Sequence, residues 1–493
     1  MENKKCRLVF VLAIMVFCTI GVALGADETR QAATATPPAA PHEHLAGAWL
    51  DTFHNPAPGI EMGADIRWRY IYGWNIDTLN DDATGRDSKW HFTRNRMRWW
   101  TKYAVTEDID FNMRLVWEFR TWDHPKRKNQ QTDFDEIVFD RFNITMRNMF
   151  DMPLTGVIGR QDIILGKGWL VLDGTPLDGS RTIYIDAARF TYDWEEKDTK
   201  IDMIYIEQKA ASDAWLKPIN DRDRHITEQD ERGVIVYITN KSIENIQLEG
   251  YYIYKNDNPI NVTPKDEPTR DIWPAFAGPA WSRKAEIHTF GAAIDGKIDD
   301  NWSYRSEGAL QSGRKSGQDL CALGSKSDLT YKFNDEHENS LKLTYEYLSG
   351  DDPSTSKNEA FDPLWGEWPQ WSELYVYSYN LETMVGETTN LHRFGIGHSF
   401  KPHPKLTMNT DYNFLWADEN SLRGSALNPH RSGLTWATSG KCRGQLLTCW
   451  LKYRCCAQLS AHLLMEYLMP GNYYDGSSRD GAYFLRANVE YTF

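Results

Sequence analysis

Hydrophobic and polar side chains alternate with a period of two along much of this 493-residue chain. The pattern is clearest from Phe92 to Trp122, where four basic residues occupy alternate positions ahead of a turn at residues 106–108. After the turn, apolar residues from Ile109 to Phe119 alternate with polar and charged ones. A period of two places neighbouring side chains on opposite faces of a β-strand, whereas a helix would spread the charges around its circumference. The stretch therefore predicts two antiparallel strands with one charged face and one apolar face.

Two faces of such unlike chemistry, on strands of about 10 residues, suit a wall with lipid on one side and water on the other. A soluble β-sandwich alternates in the same way and stays open as an alternative on this hairpin alone. The rest of the chain repeats the pattern and predicts 18 strands. They are placed near residues 61–74, 90–106, 108–122, 137–148, 154–165, 186–194, 199–208, 231–240, 245–255, 285–298, 301–312, 326–334, 340–349, 390–400, 405–416, 445–456, 459–468 and 481–493.

The connectors between the predicted strands alternate in length. Short connectors are rich in turn residues, and long ones carry charge, Pro and Gly. The long connectors are residues 75–89, 123–136, 166–185, 209–230, 256–284, 313–325, 350–389, 417–444 and 469–480. Outer-membrane barrels have short periplasmic turns and long extracellular loops, and a soluble sandwich has no reason for such regularity. We therefore predict an all-β fold, a transmembrane antiparallel β-barrel of about 18 strands.

Both ends of the chain carry targeting signals. A basic start, an apolar run and a small-residue cleavage site predict a secretory signal peptide over residues 1–25. Residues 26–44 form a flexible Pro/Ala/Thr-rich linker, and residues 45–493 are assigned to the barrel. The last strand ends on Phe493, an aromatic terminus like the signal that the barrel-assembly machinery reads in outer-membrane proteins. No later segment has the 18 or so consecutive apolar residues of a transmembrane helix, so we predict a location in the bacterial outer membrane.

Composition agrees with a barrel and limits the cysteine chemistry. Aromatic residues make up 13% of the chain, with 20 Trp and 24 Tyr, as the aromatic girdles of an outer-membrane barrel require. Two of the seven cysteines lie in the predicted signal peptide, and the odd number that remains argues against a full disulfide framework. Cys449 and Cys455 are predicted to act as small hydrophobic residues on the apolar face of their strand. One disulfide elsewhere is left open.

Three segments of the chain together resemble the alginate export family of outer-membrane barrels. They are residues 157–190, residues 361–375 (FDPLWGEWPQWSELY) and residues 459–474 (LSAHLLMEYLMPGNYY). The first contains a Gly-Arg-Gln element and an Asp-Gly-x-Arg element. The resemblance implies an 18-stranded, arginine-lined barrel through which a polymeric uronate passes. It also implies roles in that passage for the motif residues Arg160, Gln161, Asp178, Gly179 and Arg181.

The alternate positions that carry charge in the first strands of the chain are predicted to face the lumen. The candidate substrate-binding residues are Arg94, Arg96, Arg98, Arg114, Glu118, Arg120, Arg141, Arg160, Asp162 and Arg189. Arginine suits this role because its guanidinium stays charged and binds carboxylates bidentately. The alternative is that these arginines pair with acidic residues on facing strands and merely fill the wall.

Enzyme and metal chemistry find little support in the sequence. The chain lacks the fingerprints of nucleophile-elbow hydrolases, HExxH zinc enzymes, P-loop proteins and dinucleotide-binding enzymes. We predict no catalytic residues, no metal centre and no cofactor. Carboxylate pairs such as Asp81 and Asp82, or Asp351 and Asp352, are interpreted as solvated loop turns, with a loop Ca²⁺ site as the minor alternative.

Three functional hypotheses follow. The first is an outer-membrane channel that transports, and by preference exports, an anionic polysaccharide such as alginate or a related uronate polymer. The second is a general or anion-selective porin. The third is a surface carbohydrate-binding protein that the barrel only anchors, with aromatic loops such as residues 365–371 holding the ligand. The predicted partners are an anionic polysaccharide or oligosaccharide, outer-membrane lipid and the barrel-assembly machinery, and no nucleic acid.

Overall fold

The computed structural model describes residues 47–76, 78–81, 88–124, 132–133, 137–172, 184–211, 214–220, 229–259, 284–366, 369–378, 389–420 and 435–493. The predicted signal peptide and linker, and the motif residues Asp178, Gly179 and Arg181, lie outside these ranges. The helices described include α1, Gly47–His54, and α2, Tyr375–Ser378. No helix in the described ranges is long and apolar enough to cross a membrane.

The strands of the described residues form one antiparallel sheet. Its strands are β1 Ile60–Trp74, β2 Lys89–Ala104, β3 Ile109–His124, β4 Thr132–Asp133, β5 Ile137–Met146, β6 Leu154–Gln161, β7 Ile185–Trp194, β8 Thr199–Gln208, β9 Gln229–Ile243, β10 Ile246–Pro259, β11 Ala285–Lys297, β12 Trp302–Lys315, β13 Gln318–Lys332, β14 Ser340–Leu348, β15 Leu391–His403, β16 Leu406–Trp416, β17 Cys442–Arg454, β18 Leu459–Pro470 and β19 Ala482–Thr492. β4 has only two residues, and β3 also pairs directly with β5. The wall therefore has 18 full strands, which confirms the prediction.

The sheet closes because its first and last strands pair. β1 and β19 run antiparallel, with Asp65 opposite Thr492. At the end of the chain the Ala64 N–H donates to the Phe493 carbonyl at 2.7 Å, and the Phe493 N–H donates back at 2.9 Å. In a closed barrel the backbone groups pair between strands, so no open sheet edge faces the hydrocarbon layer.

The two faces of the wall have opposite chemistry. On β1, Ile66 and Trp68 are 44% and 47% exposed, whereas Arg67 and Arg69 are 1% and 2% exposed. The exposed apolar side chains face outward and the buried charged ones face inward. An outward apolar band around a polar interior is what a lipid-embedded barrel requires. The period of two in the sequence is therefore the alternation of lipid-facing and lumen-facing positions.

One predicted long connector, residues 313–325, is instead a tight turn. β12 ends at Lys315 and β13 begins at Gln318. The residues between them, Ser316 and Gly317, have φ angles of 52° and 85°. A two-residue hairpin favours positive φ at both central positions because that geometry matches the twist of the strands. Most of the segment therefore extends the wall.

The five cysteines of the described residues are all unbonded. Cys449 is 2% exposed and packs with Met408 and Met465, as expected of a small hydrophobic residue. Cys455 is exposed, because β17 ends one residue before it at Arg454. The prediction that Cys455 lies on the apolar face of a strand is therefore wrong.

Two connectors fold back into the barrel. We call residues 162–172 the first inner loop and residues 358–378, described except for 367 and 368, the second inner loop. The Trp365 N–H donates to the Leu170 carbonyl at 3.0 Å, and the Leu172 N–H donates to the Trp365 carbonyl at 3.2 Å. Buried apolar side chains of both loops join those of the inner wall in one cluster. The main hydrophobic core of the protein thus lies inside the barrel.

Candidate functional site

Six arginines line the inner face of three neighbouring strands, and we call them the arginine cluster. They are Arg67 and Arg69 on β1, Arg94, Arg96 and Arg98 on β2, and Arg120 on β3. The strand register places Arg67 opposite Arg96, and Arg94 opposite Arg120. Like charges directly opposite each other destabilise a sheet. The cluster therefore depends on negative charge placed between its members.

Carboxylates on the same wall supply part of that negative charge. The shortest contacts are Arg94 Nε to Glu118 Oε1 at 2.5 Å, Arg98 Nε to Asp65 Oδ2 at 2.6 Å and Arg96 Nη2 to Glu490 Oε1 at 2.8 Å. In the described part of the chain these three carboxylates are the ones within 4 Å of the six guanidinium groups. Arg69 Nε donates to the neutral amide oxygen of Asn488 at 2.9 Å. These contacts therefore offset part of the positive charge of the cluster.

The structure brings together the predicted residues Arg94, Arg96, Arg98, Glu118 and Arg120 on one inner surface. Their role in binding substrate stays a prediction. Sequence reasoning missed three charged residues of β1, which are Asp65, Arg67 and Arg69. The signal was present, because these residues alternate with apolar ones in the same way as the arginines of β2.

A second charged group joins β3, β5 and the first inner loop. Arg114 Nε donates to both Asp140 oxygens, at 2.8 and 3.0 Å, and Arg114 Nη2 lies 2.7 Å from Asp162 Oδ1. Arg141 also pairs with Asp162. Arg114 lies opposite Arg141 while Leu115 lies opposite Phe139, so a bulge leaves Asp140 as an extra residue. The bulge brings Asp140 to the same ion group as Arg141, although strict alternation would put the two on opposite faces.

The prediction that Arg160 faces the lumen together with Asp162 is wrong. β6 ends at Gln161, so Asp162 already belongs to the first inner loop and turns inward to Arg114. Arg160 lies 2.8 Å from Asp186 and donates to the Phe139 carbonyl at 2.8 Å. Its guanidinium carbon is 3.6 Å from the ring centroid of Tyr184, and its side chain is buried. Arg160 therefore stabilises the wall at the edge of β5.

The neighbouring motif residues also have structural roles. The Gln161 amide donates to three backbone carbonyls, those of Val157, Gly159 and Ala187, at 3.0–3.2 Å. Gly159 has a φ of 121°, and a Cβ there would lie 2.4 Å from the Phe142 carbonyl oxygen. The Gly-Arg-Gln element thus shapes the end of β6, where the chain leaves the wall.

Outside the arginine cluster, inner arginines pair singly or in small groups with carboxylates. The pairs are Arg147 with Asp110, Arg189 with Asp202 at 2.8 Å, Arg305 with Glu249 at 2.7 Å, and Arg393 with Glu346 at 2.9 Å. Arg189 was predicted to bind substrate, but in the structure it pairs with an acidic residue on the facing strand, as the alternative hypothesis expected.

The second inner loop crosses the lumen. At one end, the Trp365 indole N–H donates to Glu231 on β9 at 2.8 Å. Further along, Ser372 Oγ donates to Glu466 on β18 at 3.1 Å, and Glu373 pairs with Arg486 on β19 at 3.0 Å. β9 and β18 are on opposite sides of the closed ring of strands. A solute in the lumen must therefore pass beside this loop.

The loop carboxylates that sequence analysis singled out have ordinary turn partners where they are described. Asp81 accepts the Trp74 indole N–H at 2.7 Å, and Asp351 accepts the Glu359 N–H at 3.1 Å. Asp82 lies outside the described residues. Within those residues no three His, Cys, Asp or Glu side chains are close enough to hold a metal ion. The loop Ca²⁺ site stays a prediction.

A family model described as alginate export matches residues 59–478 of the chain. The chain belongs to the alginate export family. The matched region spans nearly the whole wall, from the start of β1 to the connector before β19. A comparison with curated proteins found no significant match.

Solved structures share the β-barrel fold of this chain. Pseudomonas aeruginosa OpdO has a TM-score of 0.53 at 11% identity, covering 88% of this chain and 97% of that one. OpdQ of the same organism has a TM-score of 0.52 at 11% identity, with 88% and 97% covered. OccK2 (OpdF), in complex with glucuronate, has a TM-score of 0.51 at 10% identity, with 88% and 98% covered. This alginate export family member is therefore an outer-membrane β-barrel.

Proposed function

We propose that the protein is an outer-membrane channel that exports an anionic polysaccharide, alginate or a related uronate polymer. The observation that carries the proposal is the row of six arginines of the cluster along the inner face of β1–β3. Membership of the alginate export family supports both the polymer class and the direction. The structural neighbour OccK2 was crystallised with glucuronate, a uronate monomer.

Arginine explains how such a wall can bind a polyuronate and still release it. A guanidinium keeps its charge and offers a planar set of donors that matches a carboxylate. Three wall carboxylates already accept some of these donors, so each uronate group shares its arginines and binds only moderately. A row of moderate sites lets a polyanion move from one to the next, whereas one strong site would hold it.

The second inner loop favours a selective channel over a general porin. It crosses the lumen between β9 and β18 and is held by charged side chains of the wall. Part of the aromatic segment of the surface-binding hypothesis lies here as well. Trp365 is 5% exposed inside the barrel, and Trp371 packs against Arg393 and Tyr377. These indoles therefore line or fill the passage instead of holding a ligand at the cell surface.

Charge removal in the cluster tests the proposal. Arg94 and Arg98 retain some exposure, 27% and 13% of their side chains, so Arg94→Gln with Arg98→Gln removes two charges from the lumen surface. In planar bilayers the wild type should prefer anions, and uronate oligomers should block its current more than neutral oligomers of equal size. The double variant should shift the reversal potential toward cations and weaken uronate block by at least about tenfold, since each charged hydrogen bond contributes about 1.5–3 kcal/mol.

A matched control removes the same charge elsewhere. Arg232 and Arg314 are 53% and 69% exposed, so Arg232→Gln with Arg314→Gln changes the net charge equally without touching the cluster. The control should keep the selectivity and block of the wild type. If cluster and control variants behave alike, the cluster arginines serve only the wall, and the polyanion proposal loses its support.

A further inference from the structure

A second polar surface lies nearly opposite the arginine cluster in the closed ring of strands. A cavity of about 390 Å³ opens against the inner wall from β11 to β17. Trp169 and Lys167 of the first inner loop, and Gln370 and Trp371 of the second, complete its lining. Its volume lies within the range of roughly 300–1,000 Å³ typical of ligand sites. None of the residues predicted as substrate-binding lines it.

A glycine of β15, Gly395, forms part of the floor of this cavity. On β15 the inward positions below Arg393 are Gly395 and Gly397. A Cβ on Gly395 would lie 2.7 Å from Asn413 Oδ1, and one on Gly397 would lie 2.5 Å from Asp411 Oδ1. Glycine inside a strand costs stability and often marks a place where a ligand approaches the backbone closely. The missing side chain of Gly395 leaves room for Asn413 and lets the β15 backbone line the cavity.

Two buried polar groups at the cavity have no protein partner. Asn413 and Thr448 are 1% and 3% exposed, and both line the cavity. Asn413 Nδ2 and Thr448 Oγ1 have no hydrogen-bond partner among the described residues. Buried polar groups in folded proteins are nearly always paired, and each exception requires an explanation. Both atoms have almost no accessible surface, so a ligand hydroxyl group can pair with them only when their side chains turn toward the cavity.

Two lysines give the cavity its anion-binding capacity. Arg305 and Arg393 are held by Glu249 and Glu346, as described above. Lys326 and Lys342 also line the cavity, and in the described residues no carboxylate lies within 4 Å of either ammonium group. An ammonium group is a flexible point charge that binds carboxylates. The lysines can therefore take a ligand carboxylate without displacing a wall partner.

The remaining lining suits a sugar ring. Trp371 and Trp450 are partly buried and present aromatic surface to the cavity, while the carboxylates of Asp328 and Asp411 can accept hydrogen bonds from hydroxyl groups. Aromatic rings give a ligand large apolar contact, and a few placed polar groups fix its orientation. The cavity thus combines cations, hydrogen-bond acceptors and aromatic rings. A simple inorganic anion would require only the cations.

We propose that this cavity binds a carboxylate-bearing sugar unit of the polymer, with Lys326 and Lys342 holding the carboxylate. The inference rests on the proposed transport of a uronate polymer. Lys342 lies near the end of β14 that follows the short turn at residues 333–339, and Lys326 lies in the middle of β13. Short turns are periplasmic in outer-membrane barrels. On the proposed path, Lys342 lies on the periplasmic side of the site, and the second inner loop forms another part of the lining.

Block of single channels by small saccharides tests the site. Lys326→Gln with Lys342→Gln should weaken block by a uronate trisaccharide at least about tenfold, since two charged contacts are lost. Gly395→Leu, which fills the floor and keeps every charge, should weaken it to a similar extent. The control is Lys332→Gln with Lys401→Gln, which removes two charges near the same end of the barrel from residues that do not line the cavity. Its block should match the wild type, and the heat-modifiable band of each variant reports folding.

Three results would overturn the inference. If the wild type is not blocked by uronates at all, the proposed function fails and the site fails with it. If the wild type is blocked but both cavity variants match the control, the site is wrong and the proposed function stands. If block by a neutral glucose trisaccharide weakens as much as uronate block in the lysine variant, the cavity binds sugars without regard to the carboxylate, and its assignment to uronate is wrong.

Discussion

Replacing Lys255 by Met should release the second inner loop from the wall. Lys255 Nζ lies 3.0 Å from Glu231 Oε1 and 3.5 Å from Asp257 Oδ1, and it donates to the Leu364 carbonyl at 3.0 Å. Glu231 also accepts the Trp365 indole N–H. Methionine keeps an unbranched, apolar side chain of similar size, so the substitution removes the cation and preserves much of the packing.

The size of the effect follows from burial. Glu231 and Asp257 are both 0% exposed, and removing one partner of a buried ion pair costs about 3–5 kcal/mol because it leaves an uncompensated charge. The lost bond to Leu364 adds about 1 kcal/mol. β9 and β10 are paired along their length, so separating them would cost more free energy than displacing the second inner loop. Displacement of the loop lets water reach the two carboxylates. A change of about 3 kcal/mol shifts the ratio of seated to displaced loop by about a hundredfold.

Single-channel recording measures the displaced population. Lys255→Met should increase the frequency of conductance fluctuations and the mean conductance. The control is Lys209→Met, because Lys209 pairs with Asp230 at 3.1 Å at a partly exposed site, where an ion pair contributes at most about 1 kcal/mol. Adding Glu231→Gln and Asp257→Asn to Lys255→Met removes the buried charges and should restore quiet channels. The reasoning would be refuted if Lys255→Met showed the fluctuation frequency of the wild type, or if frequent fluctuations persisted in the triple variant.

Two further predictions concern the wall. Deleting Phe493 should reduce assembly into the outer membrane more than deleting one residue from the 417–444 segment, because Phe493 closes the barrel through two hydrogen bonds to Ala64; equal amounts of the heat-modifiable band would contradict a terminal assembly signal. Arg160→Gln should lower the temperature at which that band shifts, since loss of a buried pair with Asp186 costs about 3–5 kcal/mol, and should leave ion selectivity unchanged. A selectivity change at unaltered stability would place Arg160 in the lumen after all.

The wall and the arginines of β2 can be predicted from sequence because each strand has one lipid face and one lumen face. Within a regular strand, alternation then assigns each side chain to one of the two faces. Arg67 and Arg69 on β1 follow the same rule, although the sequence analysis overlooked them. Asp140 does not follow it. The bulge beside Arg114 adds one residue to β5, and alternation alone cannot locate such an insertion.

Alternation of polar and apolar residues cannot predict the positions of the inner loops, for a different reason. The first inner loop, with Ile163, Leu165 and Val171, is too apolar for a solvated surface loop, and this composition was a usable signal of burial. Its partner segment lies almost 200 residues away in sequence, so the Leu170–Trp365 contact depends on closure of the whole barrel. The cavity floor at Gly395 also depends on distant parts of the chain, because it encloses a cavity only when the neighbouring strands and the inner loops are in place.

The net charge of −14 does not conflict with an anion path. Charges in water are screened beyond about 8 Å at physiological ionic strength, so acidic outer loops act weakly on a polymer deep in the lumen. On the proposed path, the polymer meets the arginine cluster on one wall and Lys326 and Lys342 of the cavity on the other. Both sites are of moderate strength, because wall carboxylates share the arginines of the cluster and only two lysines serve the cavity. Two moderate sites that face each other allow one sugar unit to bind before the previous one is released, which is the condition for a polyanion to move instead of stopping.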